Sequence, residues 1–351
     1  MSIYLINIVL ILIIGRVVGN NKESRKILCM TFFLQLTLLS IFRDETVGAD
    51  ILTYKYHFEN ISRIPFPAIE YLDWEKGYVL LNSIIAIIYN DFRFFMIIVA
   101  LIIIGGYTYF IYKNSYDITF SFFLLITFSF FTHSLNIYRQ SIAIILILFA
   151  FEFMKKNKFL YYLLCVLLAS TFHITAIIFL PTYFIKDIKV NTLNNIIILI
   201  SLPIIYLLGS EVLEIMIYRY FPSYSGLVIK GEGGNLLIVF LCIYIFTLIY
   251  KKRLDLYRFK NKLNEDHEIF YIMALFSLVL QIFSLSFSLF ARCVLYFSIF
   301  SIILIPNIVS SIGNKKEKFI IKTLIILVFI VFYIVTCLKD SASIIPYKLF
   351  F

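Results

Sequence analysis

Long apolar runs recur from one end of this chain to the other, and they constrain its fold more than any other feature. A helix needs about 20 residues to cross a hydrocarbon core of about 30 Å. The candidate spans are residues 3–18, 27–42, 93–112, 118–135, 137–154, 194–209, 235–250, 269–290, 293–311 and 319–338. Because 62% of the residues are hydrophobic and 15% charged, the sequence predicts an all-α polytopic integral membrane protein. We expect about 10–12 transmembrane helices in one domain over residues 1–351.

Two further apolar segments do not fit a simple crossing. Residues 77–90 provide about 21 Å of helix, which is too short for the hydrocarbon core, so they predict a re-entrant or interfacial helix. Residues 159–185 are long enough to cross, but Ser170, Thr171 and His173 interrupt them. This segment therefore predicts a helical hairpin or an interrupted helix, with His173 at the turn.

Short basic tracts between the apolar runs predict the sidedness of the chain. They read NNKESRK, KKNK, KDIK, KKRLDLYRFKNK and NKKEK, and they account for much of the net charge of +10. The positive-inside rule places such tracts in the cytoplasm, so they are topology signals and not a nucleic-acid footprint. All of them lie inside if the N-terminus is outside, residues 77–90 do not cross, and residues 159–185 enter the membrane and return with His173 at the turn. Residues 43–76 then form a large outer loop.

Several arginines fall near the predicted outer ends of helices, where the positive-inside rule disfavours them. Arg139 lies in SLNIYRQSIA beside Asn136 and Gln140, and Arg292 lies in SFSLFARCVLYFS. Each is either an interfacial residue that snorkels to headgroup phosphate or part of a functional site. Because guanidinium binds phosphate through two parallel hydrogen bonds, converging arginines would form a diphosphate site.

The outer loop and the interrupted segment supply the other candidates. Acidic residues of the loop alternate with Tyr54, Trp74 and further aromatic residues, the mixture that a sugar-binding cleft uses, although a solvated loop has the same composition. His173 is either a structural hydrogen-bonding residue or a base. The sequence has no HExxH motif, P-loop or GxGxxG motif. It predicts neither a metal nor a nucleotide cofactor.

Four motifs in order resemble the EpsG-like branch of the Wzy-type polysaccharide polymerases. They read FRDETVGAD followed by a tyrosine, WEKGYVLLN, NIYRQSIAI and ASTFHITAI, and they cover about residues 40–185. The resemblance implies a multi-span, metal-independent glycosyltransferase that joins undecaprenyl-pyrophosphate-linked oligosaccharide repeat units. The product would be O-antigen, capsular polysaccharide or exopolysaccharide, made at the periplasmic face of a bacterial inner membrane.

The same resemblance, taken with the chemistry above, assigns roles to named residues. The candidate general bases are Asp50, Glu75 and His173; the candidate pyrophosphate-binding residues are Arg43, Arg139 and Arg292; the candidate sugar-binding residues are Tyr54, Trp74, Asn136 and Gln140. The expected partners are the lipid-linked oligosaccharide, membrane lipids, and a chain-length regulator and flippase of the same pathway.

Three other functions share parts of this pattern. An O-antigen ligase uses the same donor and the same arginine chemistry, and only the motif series favours a polymerase. A flippase or other transporter of lipid-linked sugars would line a path across the bilayer, whereas these arginines lie on one side. A sugar acyltransferase with a cytoplasmic acyl donor would need polar residues on the inner face.

Overall fold

The computed structural model describes residues 1–19, 21, 23–64, 74–188, 197, 200–202, 215, 219, 234–260, 268–339 and 342–351. Most of the predicted span 194–209 lies outside these residues, as do residues 65–73 of the predicted outer loop. The described residues form helices and no β-sheet; a single isolated bridge joins Arg43 to Leu349. The all-α class predicted from the sequence is confirmed.

The helices follow the apolar runs closely. They are α1 (Ser2–Val18), α2 (Ser24–Ile41), α3 (Ile51–Ile61), α4 (Lys76–Ile88), α5 (Phe92–Asn114), α6 (Ile118–Thr127), α7 (Phe130–Ser134), α8 (Tyr138–Lys155), α9 (Phe159–Ser170), a 3₁₀ helix (Ile174–Phe179), α10 (Thr182–Ile185), α11 (Gly234–Lys260), α12 (Glu268–Ser284), α13 (Ser288–Ser298), α14 (Ser301–Ser311) and α15 (Lys315–Lys339). They belong to two compact units. The first comprises residues 1–177 and 314–351, and the second residues 178–313.

Length and hydropathy identify the spanning helices. Among the described residues, α2, α5, Gly234–Arg258 of α11, and α15 are each long and apolar enough to cross a membrane. The pair α13 and α14, bent by 43°, would make a fifth span if it crosses as one. Large apolar side chains of α15 are mostly exposed, including Phe319 and Leu338, as expected of a surface that faces lipid. The chain is a polytopic membrane protein.

Three predicted segments are short or broken. Helix α4 has 13 residues, or about 20 Å, as its short apolar run predicts. The run 118–135 breaks between α6 and α7, where Ser129 has a φ of 67°. Helix α9 ends at Ser170, and the chain turns through residues 171–173 before the 3₁₀ helix begins. His173 therefore lies at the interruption of the segment 159–185.

Polar contacts in the first unit gather at two opposite ends of its helices. At one end, Arg93 at the start of α5 donates to the carbonyl oxygens of Ile41 (3.0 Å) and Arg43 (2.6 Å). At the other end of α5, Ser115 accepts from Arg25, which lies in the first turn of α2. We call the end with Arg93, where α8 begins, the Arg139 end, and the end with Ser115, where α8 finishes, the Glu152 end. The 23 residues of α5 separate them by about 33 Å.

Candidate active site

Arg43 fixes the loop that follows α2. It is 1% exposed, and its guanidinium donates to the carbonyl oxygens of Val47 (2.8 Å) and Leu135 and to the hydroxyl of Tyr138. These bonds join the loop after α2 to the start of α8. Both terminal nitrogens of the guanidinium are thus bonded to protein acceptors, an arrangement that fits a structural anchor.

The residues after Arg43 pack on the same turn. Gly48 has a φ of 116°, and a Cβ atom there would lie 2.8 Å from Ile51 and 3.1 Å from the carbonyl oxygen of Leu135. Only glycine fits such a backbone at this approach. The amide of Asp50 then donates to Oδ1 of Asn136 at 2.7 Å. Asn136, 8% exposed, therefore holds the start of α3.

Glu75 bridges Arg139 and His173. Its Oε2 accepts from the Arg139 guanidinium, and its Oε1 lies 3.3 Å from Nδ1 of His173. The three side chains come from the start of α4, the first turn of α8 and the interruption after α9. Their exposed fractions are 20% for Glu75, 30% for Arg139 and 9% for His173. The three side chains are mostly shielded from solvent, and the Arg139 guanidinium is the most exposed of them.

Gly77 sets the position of Glu75. Its amide donates to the carbonyl oxygen of Thr171 at 2.8 Å, and a Cβ atom on it would lie 2.2 Å from the Thr171 Oγ1. The start of α4 can lie this close to the interruption after α9 only because residue 77 has no side chain. This contact brings Glu75 within reach of His173.

Aromatic rings surround the Arg139 guanidinium. Its carbon lies 4.3 Å from the centre of the Trp74 ring, a cation–π contact, and the guanidinium also hydrogen-bonds the Tyr54 hydroxyl. Trp74 packs in turn against His57 at 3.8 Å and Tyr78 at 5.4 Å between ring centres. Such rigid neighbours hold a long, flexible arginine in one orientation.

The electrostatics of Glu75 determine its protonation. Burial alone raises the pKa of the carboxyl group, but the hydrogen bond with His173 and the positive charge of Arg139 outweigh it, and the pKa falls from 4.5 to about 2. The carboxylate is therefore ionised at neutral pH and can only accept hydrogen bonds. Burial raises the pKa of Tyr54 to about 12 against the lowering effect of Arg139, so its phenol stays neutral.

The ionised carboxylate also selects the tautomer of His173. Since Glu75 can only accept, a neutral imidazole carries its proton on Nδ1 and presents a lone pair at Nε2. That Nε2 atom is buried and has no hydrogen-bond partner among the described residues, and the same is true of Nε of Arg139. The site thus combines an oriented proton acceptor with a cation whose donors are not all used. Among the described residues no group of three or more His, Cys, Asp or Glu is placed to hold a metal ion.

The structure brings together most residues that the sequence singled out. A continuous series of contacts links His173 to Glu75, Glu75 to Arg139, Arg139 to Trp74, and Trp74 to Tyr54. Arg43, Asp50 and Asn136 lie in the adjoining loop and turn. Gln140 follows Arg139 in α8 and is 5% exposed.

Arg292 is exposed on α13 and belongs to the second unit, so its part in pyrophosphate binding stays a prediction. Sequence reasoning missed His57, Tyr78 and Tyr138. Two of them could have been found from the sequence, because Tyr78 follows Gly77 in KGY and Tyr138 precedes Arg139 in IYR.

The fold and this cluster define a polytopic, all-α membrane protein with a shielded Glu–Arg–His group at one end of its helices. The chain belongs to the EpsG family, whose sequence model matches residues 26–349. This match confirms the resemblance that the four motifs indicated, and it extends beyond them through the second unit to the C-terminal tail. No curated protein and no solved structure matches the chain. Membership of this family suggests a polysaccharide polymerase of the glycosyltransferase kind.

Proposed function

We propose that the protein polymerises oligosaccharide repeat units carried on undecaprenyl pyrophosphate, at the Glu75–Arg139–His173 group. The observation that carries this proposal is the pairing of a buried, partnerless Nε2 on His173 with the partly exposed guanidinium of Arg139 around one carboxylate. A reaction that takes a proton from a hydroxyl and releases a pyrophosphate needs one group of each kind.

The reaction is a displacement at the anomeric carbon of the donor. The terminal hydroxyl of one lipid-linked chain attacks that carbon, a new C–O bond forms, and the bond to the pyrophosphate breaks. The electron pair of the broken bond leaves with lipid pyrophosphate. The hydroxyl proton moves to Nε2 of His173, and Glu75 stabilises the imidazolium through Nδ1. Asp50 is the alternative base, at the start of α3.

Arg139 stabilises the negative charge that develops on the departing pyrophosphate. Its ring contacts with Trp74 and its hydrogen bonds with Glu75 and Tyr54 fix the guanidinium before the substrate arrives. A preoriented cation in a site with little water is the largest single electrostatic contribution available to such a reaction. The buried guanidinium of Arg43 serves this step indirectly, because its bonds to Leu135 and Tyr138 orient the first turn of α8.

The aromatic residues divide between holding the site and binding sugar. Tyr54 is 4% exposed, and its hydroxyl is bound to Arg139, so it acts mainly by holding the guanidinium. Trp74 is partly exposed and presents its free edge to the repeat unit, with Tyr56 on the outer side of α3, 64% exposed, as a further stacking surface. Asn136 and Gln140 are buried and shape the floor beneath them.

The sidedness inferred from the basic tracts supports the proposed location. Under the positive-inside rule those tracts favour an outer position for the Arg139 end. In this proposal that side is the periplasmic face of a bacterial inner membrane, and repeat units are joined there without metal or nucleotide. In this proposal a flippase delivers the repeat unit, and a chain-length regulator sets the product size.

The test is the pattern of surface polysaccharide from a strain that lacks this gene. The strain is complemented with the wild-type gene or with Arg139→Ala, and expression of both proteins is verified by immunoblot. We expect single repeat units on the acceptor in the null strain and in the Arg139→Ala strain, and long chains with wild type. Bare acceptor with accumulated lipid-linked material would contradict the proposal and favour a ligase or a flippase.

A further inference from the structure

A cavity lies at the Glu152 end of the first unit, remote from the Glu75–Arg139–His173 group. It has a volume of about 380 Å³ and lies between the last turns of α1, the start of α6 and the first turns of α15. Apolar and polar side chains both line it, and the polar ones are those of Arg16, Asp117, Thr119, Lys322 and Thr323. This volume exceeds the roughly 30 Å³ of one water molecule more than tenfold, so it can admit a phosphate group with part of its ester.

The charges around the cavity favour an anion. Lys322 pairs with Oδ2 of Asp117, whose Oδ1 accepts from the amide of Phe120, so this carboxylate is fully used within the protein. Arg16 is exposed and has no hydrogen bond or ion pair within the described part of the chain. Lys318 lies close enough to feel the charge of Asp117. Lys322 and Lys318 therefore lie near the one carboxylate, and Arg16 adds an exposed cation to the cavity lining.

The wall of the cavity between α1 and α6 is close-packed. Thr119 lines the cavity and is 8% exposed, and its side chain lies against Gly15, where a Cβ atom would be 2.2 Å from the Thr119 Oγ1. Thr119 also lies in the first turn of α6, a helix of ten residues whose N-terminal end carries partial positive charge.

The depth of the cavity matches the headgroup region of a bilayer. Helix α15 has 25 residues, or about 37 Å, and exceeds a hydrocarbon core of about 30 Å. Lys322 lies two turns from the start of α15, and Arg16 lies in the last turn of α1. Both cations can therefore reach the level at which lipid phosphates lie.

We propose that this cavity binds a phosphate group, and that its source is the headgroup of an anionic phospholipid. Arg16 and Lys322 contact the phosphate oxygens. Bound there, the lipid bridges α1, α6 and α15 and stabilises their packing. The site is distinct from the proposed polymerase site, so either can fail without the other.

The test uses full-length protein that is purified in neutral detergent and delipidated. Phosphatidylglycerol, phosphatidylcholine and inorganic phosphate are added back separately, and the unfolding midpoint and the lipid retained in native mass spectrometry are measured. The variant is Arg16→Gln, and Lys26→Gln is the matched control. Lys26 is an exposed cation at the same end that does not line the cavity.

We expect phosphatidylglycerol to raise the midpoint more than phosphatidylcholine does. Arg16→Gln should weaken this binding about tenfold, while Lys26→Gln leaves it unchanged. If inorganic phosphate protects equally and competes with the lipid, the site holds but its ligand is a soluble phosphate. Equal lipid binding by Arg16→Gln and Lys26→Gln would overturn the proposal.

Discussion

Each end of the first unit holds a carboxylate between basic groups, yet the two ends are built differently. Glu152 accepts from Asn114 at 2.9 Å and pairs with Lys113 and Lys155, and Lys155 also donates to Asn114. The cluster is closed in charge, since each carboxylate oxygen of Glu152 is ion-paired with a lysine. Glu75 instead holds an arginine and a histidine that each keep a buried nitrogen without a partner among the described residues. Charge pairing alone therefore does not identify a site, and what separates the two ends is the kind of basic group that each carboxylate holds.

The partners of the two carboxylates differ as well. Lysine is a point charge on a flexible stem, which suits a structural ion pair, whereas the planar arginine fork can bind a diphosphate through two hydrogen bonds. At the Arg139 end, Trp74 and Tyr54 fix that fork, and Gly77 fixes Glu75 against Thr171. Substitutions at the two ends are therefore expected to affect different properties: catalytic activity at the Arg139 end and stability at the Glu152 end.

The largest effect is expected when the Arg139 guanidinium is replaced by a lysine ammonium, which keeps the charge but not the planar shape. Arg139→Lys should reduce polymer formation about 100-fold, because a lysine cannot bind the pyrophosphate, Glu75 and the Trp74 ring together. The matched control is Arg25→Lys at the Glu152 end, where Arg25 donates to the carbonyl oxygens of Tyr112 and Ser115. Chain length on a gel, per amount of folded protein, measures both. Equal losses in the two variants would remove the distinction between the ends.

A backbone contact is expected to have the next largest effect. Gly77→Ala places a Cβ atom 2.2 Å from the Thr171 Oγ1 and 2.9 Å from its carbonyl oxygen, so Glu75 must move away from His173. We expect activity to fall about tenfold or more, since small displacements of catalytic groups are costly. The control is Gly105→Ala in α5, where the nearest atom, in Phe33, would be 3.8 Å away. If Gly77→Ala retains full activity, this contact does not position the site.

The closed cluster should respond in stability and not in activity. Glu152→Gln leaves Lys113 and Lys155 without their carboxylate, and we expect the free energy of unfolding to fall by about 2 kcal/mol. Thermal unfolding in detergent measures the loss, and polymer formed per folded molecule should match the wild type. A specific loss of activity in Glu152→Gln would show that the Glu152 end takes part in the reaction.

The smallest effect concerns pH. Because the pKa of Glu75 falls from 4.5 to about 2 on folding, its ion pair stabilises the folded protein above pH 4.5. This contribution is lost as the pH falls from about 4.5 to about 2. The difference in unfolding midpoint between wild type and Glu75→Gln should therefore be constant from pH 7 to pH 5 and shrink below pH 4.5. A constant difference down to pH 2.5 would contradict the lowered pKa.

The sequence predicted the helices and the candidate residues, but not how these residues meet. Apolar run length located most helices, because hydrocarbon thickness sets that length. The break at Ser129 was not predicted, since no glycine or proline marks it and its positive φ arises from packing in a fully buried segment. The contacts of Glu75 join residues 64 and 98 positions apart in the chain. Such pairings depend on how helices pack, which composition and periodicity do not encode.

Arg43 illustrates the same limit for residue roles. A motif arginine near a helix end predicts a phosphate ligand, yet in the structure Arg43 is buried and donates to Leu135 and Tyr138, more than 90 positions away. Nothing in the local sequence distinguishes it from Arg139, whose side chain stays partly exposed to solvent. Burial, which follows from tertiary packing, separates the anchor from the proposed ligand.

The most direct test of the account is chain formation by purified, reconstituted protein from lipid-pyrophosphate-linked repeat units, with wild type compared to His173→Asn. The asparagine amide can replace Nδ1 as the donor to Glu75 but offers nothing at the position of Nε2. We predict a ladder of products with wild type, and a correctly folded variant that binds donor but forms no ladder. A full ladder from His173→Asn, or none from wild type, would contradict the account.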